Sequence, residues 1–147
     1  MMIVNLKRRR AMQMQMNNEI YKIIRRMEEG GIVNYTIELI PSCFIYKAHF
    51  PEEPITPGVC IVQIGKELIE NLLSEQTLRT QRLAIEKIKN VKFLSVIAPN
   101  KTKTLTYQIK KLERCECNTM VEAQLVVLSE DKAMAKISLV MNAYDRG

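Results

Sequence analysis

The sequence is poor in residues on which several common functions depend. Its 147 residues include no tryptophan, three phenylalanines and a single histidine, His49. Proteins that bind single-stranded nucleic acid usually stack bases on aromatic side chains set among basic ones, and no such motif is present. No apolar run approaches the roughly 20 residues of a membrane-spanning helix. We therefore expect neither a nucleic-acid partner nor a membrane-spanning segment.

Cysteine is present, but not in a pattern that predicts a disulfide framework or a metal centre. The four cysteines are Cys43, Cys60, Cys115 and Cys117. The last two form a C-x-C pair with no second pair and no histidine nearby, unlike a zinc knuckle. Because the chain has one imidazole, a metal site would need carboxylates from elsewhere. We expect no metal and no other cofactor.

The length suits one domain. Residues 1–16 read as a basic arm rich in methionine and glutamine, without apolar periodicity, and we leave them outside the fold. Residues 17–147 are predicted to form the domain. The apolar stretch at Met1–Leu6 is too short for a secretory signal, and its charges follow it rather than precede it. A cytoplasmic location is therefore expected.

Most of the domain alternates apolar and polar residues with the period of two that is typical of β-strands. A β-branched, mixed segment at Ile20–Met27 and an alternating one at residues 33–39 flank the turn residues Gly30 and Gly31, which predicts a hairpin. A longer segment, residues 85–97, changes phase near Lys89–Asn90, where we expect a β-bulge. The other predicted strands lie within residues 104–109, 119–128 and 135–142.

One segment has the period of a helix instead. Thr56 is predicted to cap this helix and Pro57 to occupy its first position. Apolar residues cover a wide face between positions 59 and 73, which indicates a helix buried against a large partner. Its polar residues form a narrow opposite stripe: Gln63, Glu67 and Glu70. The sequence therefore predicts an α+β fold, with one long central helix against an antiparallel sheet of five to six strands.

The loop before this helix holds the candidate catalytic residues. Pro51, Pro54 and Pro57 restrict the loop that carries His49, since each ring fixes one backbone torsion. The helix N-terminus at Gly58 offers unpaired N–H groups and a positive dipole end, suited to a carbonyl that gains negative charge. From the residues alone, two interpretations stay open. His49 is either a reactive imidazole beside an oxyanion-type donor or a histidine that only pins the loop.

The pattern His49-Phe50-Pro51-x-x-Pro54-x-x-Pro57-Gly58-Val59 resembles the signature of the (3R)-hydroxyacyl-acyl-carrier-protein dehydratases of the hot-dog fold. Residues 92–99 are similar to the strand and turn that follow the helix in that family. The resemblance covers residues 19–144, with its specific motif in the central third. It implies a hot-dog fold in which the sheet wraps the central helix.

The resemblance also implies roles for individual residues. His49 would remove the C2 proton of a 3-hydroxyacyl thioester, and the backbone N–H of Gly58 would polarise the thioester carbonyl. Phe50, Pro57 and Val59 would contact the substrate. Two protomers would pair, with each active site at their interface. The substrate would arrive on the phosphopantetheine arm of an acidic acyl carrier protein.

Gln63 departs from the family pattern. The family carries at this position an acidic residue that protonates the departing hydroxyl, and a glutamine amide can hydrogen-bond a hydroxyl but cannot deliver a proton. Glu67 lies one helical turn further on the same face. We expect Glu67 to be an ordinary solvated residue rather than an acid that acts through a water. At position 48, before His49, relatives carry glycine. The alanine found here does not remove a chemical group from the site.

Three functions stay open at this level. In the first, the protein is a working dehydratase in which Gln63 orients the hydroxyl and His49 handles both proton transfers. In the second, it is a thioesterase, a reaction class that shares the fold but usually needs a carboxylate. In the third, it is a non-catalytic or half-competent subunit that completes a heterodimer with another hot-dog protomer. We therefore expect either a homodimer, alone or within a larger oligomer, or such a heterodimer.

The formal net charge of +6 agrees with an acidic partner such as the carrier protein, and equally with a solvated basic surface. The candidate docking residues are Arg25, Arg26, Lys47, Lys87, Lys89 and Lys92.

Overall fold

The computed structural model describes residues 19–48, 52–115 and 119–145. The predicted N-terminal arm, residues 1–16, lies outside these ranges. His49 and Phe50 lie outside them as well, so their roles stay predictions. In chain order the elements are β1 (Tyr21–Glu29), β2 (Ile32–Leu39), α1 (Phe44–Ala48), α2 (Gly58–Thr77), β3 (Gln81–Phe93), β4 (Thr104–Arg114), β5 (Met120–Ser129) and β6 (Lys132–Asp145).

The strands form one six-stranded sheet in the order β1-β2-β4-β5-β6-β3, and every neighbouring pair is antiparallel. The predicted hairpin is confirmed: Gly30 and Gly31 join β1 to β2 with positive φ angles of 59° and 79°. Two successive positive φ angles match the strand twist at a tight hairpin, and glycine adopts them without steric cost. The predicted α+β architecture is therefore confirmed, with six strands.

β3 lies at one edge of the sheet and β1 at the other. The predicted bulge in β3 is confirmed, because its register with β6 shifts between Ile88 and Asn90. A second shift lies between Ile85 and Lys87. β3 ends at Phe93, four residues before the end of the predicted segment, and the chain from Leu94 to Ile97 continues as an irregular segment.

Along the chain, helix α2 lies between β2, the strand next to one edge of the sheet, and β3, the strand at the other edge. The predicted cap is wrong by one residue: Pro57 is the N-cap, with φ −61° and ψ 145°, and Gly58 is the first helical residue. The Thr56 hydroxyl makes no cap bond to the helix and instead bonds to the Tyr46 hydroxyl at 2.9 Å. Within the described part of the chain, no helix is long and apolar enough to cross a membrane.

Buried tyrosines fasten α2 to the sheet. The Tyr107 hydroxyl, from β4, donates to the carbonyl oxygen of Ile61 at 2.8 Å. The Asn71 amide donates to the Tyr35 hydroxyl, from β2, at 3.2 Å. A phenol that is buried needs such a partner, since an unsatisfied hydroxyl in the core is costly. Burial also raises the pKa of Tyr107, so this phenol stays neutral and serves the packing of helix on sheet.

Candidate functional site

A cleft of about 380 Å³ lies at the N-terminus of α2. Its lining residues come from the chain just before the helix, from the first helical turns and from the segment after β3: Ile55, Thr56, Gly58, Ile61, Phe93, Leu94, Ser95, Val96 and Ile97. Most of these side chains are apolar. The cleft therefore offers an apolar surface next to a helix N-terminus, which suits the reacting end of an acyl thioester.

The N-terminus of α2 borders this cleft through Gly58. In an α-helix the first amides have no carbonyl four residues earlier to bond to. The intrahelical bonding begins at Cys60 and Ile61, whose amides donate to the Pro57 carbonyl oxygen at 3.0 and 3.2 Å. The amides of Gly58 and Val59 precede this bonding and lie at the positive end of the helix dipole. They can donate to an oxygen that gains negative charge.

An aromatic ring approaches Gly58 closely. A Cβ atom built on Gly58 would lie 2.7 and 2.8 Å from two ring carbons of Phe93, closer than side-chain carbons come. The ring is half exposed, so a larger residue at position 58 would displace it into the cleft. The structure thus places Gly58 beside Phe93 at the predicted carbonyl site. Pro57 adjoins it as the cap, and Val59, also a predicted substrate contact, is largely exposed.

Two hydrogen bonds close the base of the proline-rich loop. The Tyr46 hydroxyl, from α1, bonds to the Thr56 hydroxyl at 2.9 Å. The backbone N–H of Thr56 donates to the Ile97 carbonyl oxygen at 2.7 Å. Desolvation raises the pKa of Tyr46 to about 12, so its hydroxyl keeps its proton. The loop with His49 therefore starts and ends at residues that are held together.

Gln63 lies one and a half turns into α2, is half buried, and does not line the described cleft. Its Nε2 donates to Oε2 of Glu67 at 3.1 Å. The other carboxylate oxygen, Oε1, accepts a hydrogen bond at 2.9 Å from the hydroxyl of Tyr21, at the start of β1. The expectation that Glu67 is a solvated residue is wrong. Its side chain is buried because Tyr21 and Gln63 take the place of water.

A second buried polar cluster lies on the same helix. Glu70 accepts the backbone N–H of Leu83 at 2.8 Å, and Lys66 donates to the carbonyl oxygen of Leu83 at 3.1 Å. Lys66 and Arg82 lie 3.7 and 3.9 Å from the Glu70 carboxylate. Burial raises the pKa of Glu70, against the opposing effects of the Leu83 amide and of Lys66. This cluster fixes the start of β3 on α2.

The cysteines and carboxylates of the described residues do not add a nucleophile or a metal centre to this site. Burial raises the pKa of the Cys60 thiol to about 11, so it stays protonated and unreactive at neutral pH. In residues 19–48, 52–115 and 119–145, no group of three histidine, cysteine or acidic side chains could hold a metal ion.

Several contacts of the site could not be predicted from the sequence. Tyr21 and Glu67 are 46 positions apart, and Phe93 lies 35 positions after Gly58. An alternating strand does not reveal which helix residue it will meet. For Glu67 there was a signal: a carboxylate four residues after a glutamine on one helix face can bond to its amide. α1, a single turn of five residues, is also not predicted by any periodicity.

Comparison with known proteins gives a family for the sequence and a fold for the structure. A model of the ApeI-like family, described as ApeI dehydratase, matches residues 25–132. The crystal structure of yhdA from Lactococcus lactis, titled as a candidate thioesterase, has a TM-score of 0.64 at 11% identity and covers 91% of this chain and 100% of its own.

An uncharacterized protein from Erwinia carotovora subsp. atroseptica has a TM-score of 0.50 at 19% identity, with 86% of this chain and 94% of its own covered. Identities this low show a shared fold and leave activity open. No curated protein sequence matches the chain.

Proposed function

The chain belongs to the ApeI-like dehydratase family, and from that premise we propose that it dehydrates (3R)-hydroxyacyl thioesters to trans-2-enoyl thioesters. The family match and the shared fold confirm the predicted hot-dog dehydratase family. The observation that carries the proposal is the apolar cleft at the N-terminus of α2, where the Phe93 ring packs closely on Gly58. The motif loop with His49 leads directly into this N-terminus.

In the proposed reaction, His49 takes the C2 proton while the Gly58 N–H stabilises the negative charge that develops on the thioester oxygen. The C2–C3 double bond forms as the C3–O bond breaks. The imidazolium then returns its proton to the departing hydroxyl, which leaves as water. Gln63 binds that hydroxyl without transferring a proton. One imidazole therefore balances the proton count of the elimination.

Turnover of a carrier-bound (3R)-hydroxyacyl thioester tests this proposal, with enoyl and free-acid products followed together. Enoyl product from the wild type, abolished in His49→Ala, is the expected result. A His49→Ala protein that keeps the circular dichroism spectrum and Tm of the wild type is the matched control. Full enoyl production by that variant would contradict the assignment of His49.

Thioester hydrolysis is the second candidate, since yhdA is titled as a candidate thioesterase. Hydrolysis usually needs a carboxylate as base or nucleophile. The carboxylate nearest to position 63 is Glu67, and both of its oxygens already accept hydrogen bonds in a buried setting. This arrangement favours dehydration over hydrolysis. Release of free acid without enoyl product would reverse that preference.

We also propose that two protomers pair through the region around the cleft. β3 is an edge strand, and large apolar side chains in or next to the cleft are about half exposed or more: Val59, Phe93, Leu94 and Val96. A soluble monomer rarely leaves such a patch uncovered. Light scattering of the purified protein should give twice the chain mass. A monomer that becomes active only with a second hot-dog subunit would support the heterodimer instead.

The acidic acyl carrier protein remains the proposed partner. The ion pairs of this protein reduce the number of basic residues that are candidates for docking it. Arg26 is paired with Glu28 and Glu75, and Lys89 with Glu122, so these charges are already compensated. Exposed basic residues outside the ion pairs of the described segments are better candidates: Arg25, Lys47, Lys87 and Lys92. Carrier affinity should weaken as salt is raised. A salt-independent affinity would argue for a solvated surface.

A further inference from the structure

A further cleft, of about 450 Å³, lies on the face of the sheet that is turned away from α2 and extends over β3, β4, β5 and β6. Leu125 marks the inner face, because a Cβ atom built on Gly65 of α2 would lie 3.4 Å from a carbon of the Leu125 side chain. Successive side chains of a strand point to opposite faces, so Gln124 and Val126 are on the outer face. Both line the cleft, together with residues of the other three strands. It shares no lining residue with the cleft at the N-terminus of α2.

Two β-bulges lie on either side of this outer cleft. The register between β4 and β5 shifts at Lys110, which has no partner in β5. The register between β3 and β6 shifts in the same way at Lys89, which has no partner in β6. Gln124 and Ser138, paired with each other across β5 and β6, lie between the two bulges. A bulge redirects the side chain of its extra residue, and both extra residues here are lysines that line the cleft.

The cleft carries positive charge that the protein does not compensate. Lys136, a third lysine of the lining, lies directly opposite Lys92 in the β3–β6 pair, and both are exposed. Like charges directly opposite each other on neighbouring strands destabilise a sheet. Lys89 is paired with Glu122 at 2.9 Å. Among residues 19–48, 52–115 and 119–145, no ion pair includes Lys92, Lys110 or Lys136.

The other polar residues of the lining indicate what kind of anion fits. Asn90, Gln124 and Ser138 offer amide and hydroxyl groups between the lysines. Lysine ammonium groups are common partners of phosphate, whose oxygens accept several hydrogen bonds at once. The volume of the cleft lies within the range of small-molecule sites, about 300–1,000 Å³. This size favours a phosphate that is carried on a small polar molecule over free phosphate.

We propose that the outer cleft binds a phosphate ester of a small polar molecule. The phosphate group lies among the ammonium groups of Lys89, Lys110 and Lys136 and compensates the repulsion between Lys136 and Lys92. The amide and hydroxyl side chains bind the rest of the ligand. This site uses neither the cleft at the N-terminus of α2 nor the motif loop, so it does not depend on the proposed function.

Calorimetric titration tests the proposal with three probes: ribose 5-phosphate, orthophosphate and ribose. The titrations are made at about pH 8, where the phosphates are doubly charged, with the ionic strength held constant by chloride. Ribose 5-phosphate should bind, orthophosphate should bind about tenfold more weakly, and ribose should not bind. Equal affinity for the two phosphates would support the phosphate site and identify free phosphate as its ligand. Binding of ribose alone, or of none of the three, overturns the proposal.

Lys136→Gln gives a result that damage to the fold cannot imitate. Without ligand this variant should have a higher Tm than the wild type, because a lysine opposite Lys92 is removed. Its affinity for ribose 5-phosphate should nevertheless fall about tenfold. Lys132→Gln is the matched control: this lysine is exposed on the same strand, but it does not line the cleft. The control should change neither quantity.

Lys110→Gln separates the two effects, since Lys110 has no residue opposite it in β5. This variant should lose affinity about as much as Lys136→Gln without a gain in Tm. Undiminished affinity in folded Lys110→Gln and Lys136→Gln overturns the proposal. An acidic protein is the alternative occupant of a basic surface. If Lys136→Gln weakens binding of the carrier protein and neither phosphate binds to the wild type, the cleft is a protein contact and the proposal is wrong.

Discussion

Glu67 and Glu70 lie about one turn apart on α2 and are almost equally buried, 8% and 5% exposed, yet they have different neighbours. The hydrogen bonds described for Glu67 come from two neutral donors, the Tyr21 phenol and the Gln63 amide. Glu70 is surrounded by two cations and a backbone N–H. The difference separates a carboxylate that joins β1 to α2 through neutral groups from one that holds the start of β3 through charged groups.

The polar groups of the Glu70 cluster are partners of one another. Lys66 and Glu70 satisfy both the carbonyl oxygen and the N–H of Leu83, groups that β6 does not engage at this point. A buried ion pair gains little stability over a well-packed apolar pair, but the loss of one partner leaves an uncompensated charge in the core. We therefore expect the loss of the Glu70 carboxylate to cost more stability than a conservative change at Glu67.

The largest effect we expect is on the free energy of unfolding of Glu70→Ala. This change leaves buried Lys66 without its counter-charge and the Leu83 N–H without its acceptor. The loss should be about 3–5 kcal/mol, measured by urea denaturation. Glu67→Gln keeps hydrogen-bonding capacity for both of its partners and should lose about 1–2 kcal/mol. Equal losses in the two variants would remove the distinction between the clusters.

The next effect concerns turnover in Gln63→Glu. Two carboxyl groups would then lie about 3 Å apart, where like charges cannot both ionise, so the pair would hold a proton above the usual carboxyl pKa. That proton supplies the missing acid, and enoyl formation should rise about 100-fold. The gain should disappear as pH rises and the shared proton is lost.

The double variant Gln63→Glu with Glu67→Gln is the control for this pairing. It carries a single carboxyl, so its pH profile should fall at a lower pH than that of Gln63→Glu alone. A turnover that Gln63→Glu leaves unchanged at every pH would show that position 63 does not reach the departing hydroxyl.

The two clusters also show how far the sequence predicts this molecule. Alternation identified β2, β4 and β6, and a phase change located the bulge near Asn90, because period and burial are local properties of one strand. The long central helix followed from its wide apolar face. These predictions needed no knowledge of which elements meet.

The polar contacts could not be predicted in the same way. From the sequence alone, a glutamate on a helix is expected to face solvent. Glu67 is buried because Tyr21, from β1, donates to it, and Glu70 is buried because the backbone N–H of Leu83, from β3, donates to it. The contact between Phe93 and Gly58 could not be predicted either, because it depends on where the end of β3 meets the start of α2. The predicted site residues Gly58, Pro57 and Gln63 lie on or next to α2 as expected, whereas the role of His49 stays a prediction.

A smaller effect separates the clusters by pH. Burial raises the pKa of Glu70 above its ordinary value near 4.5, so between those two values the folded protein binds more protons than the unfolded chain. The free energy of unfolding should therefore fall as pH rises through that window, by at most about 1.4 kcal/mol per pH unit.

The charged neighbours that face Glu70 are Lys66, Arg82 and Glu67. Glu70→Gln should remove this part of the slope, while Glu67→Gln should leave it in place. Urea titrations at several mildly acidic pH values measure the slope. The same slope in wild type and Glu70→Gln would contradict the assignment to Glu70.

The smallest effect concerns the C-terminal end of α2, away from both carboxylates. Leu78, at the C-terminal cap of α2, is 90% exposed and has a φ of 58°, a left-handed conformation that favours glycine. Leu78→Gly should raise the free energy of unfolding by about 1 kcal/mol. Added to Glu67→Gln or to Glu70→Ala, it should give the same gain, because it contacts neither cluster and the effects of distant, independent sites add. A gain that disappears in one of these two backgrounds would instead show that the stability of the whole helix depends on that carboxylate.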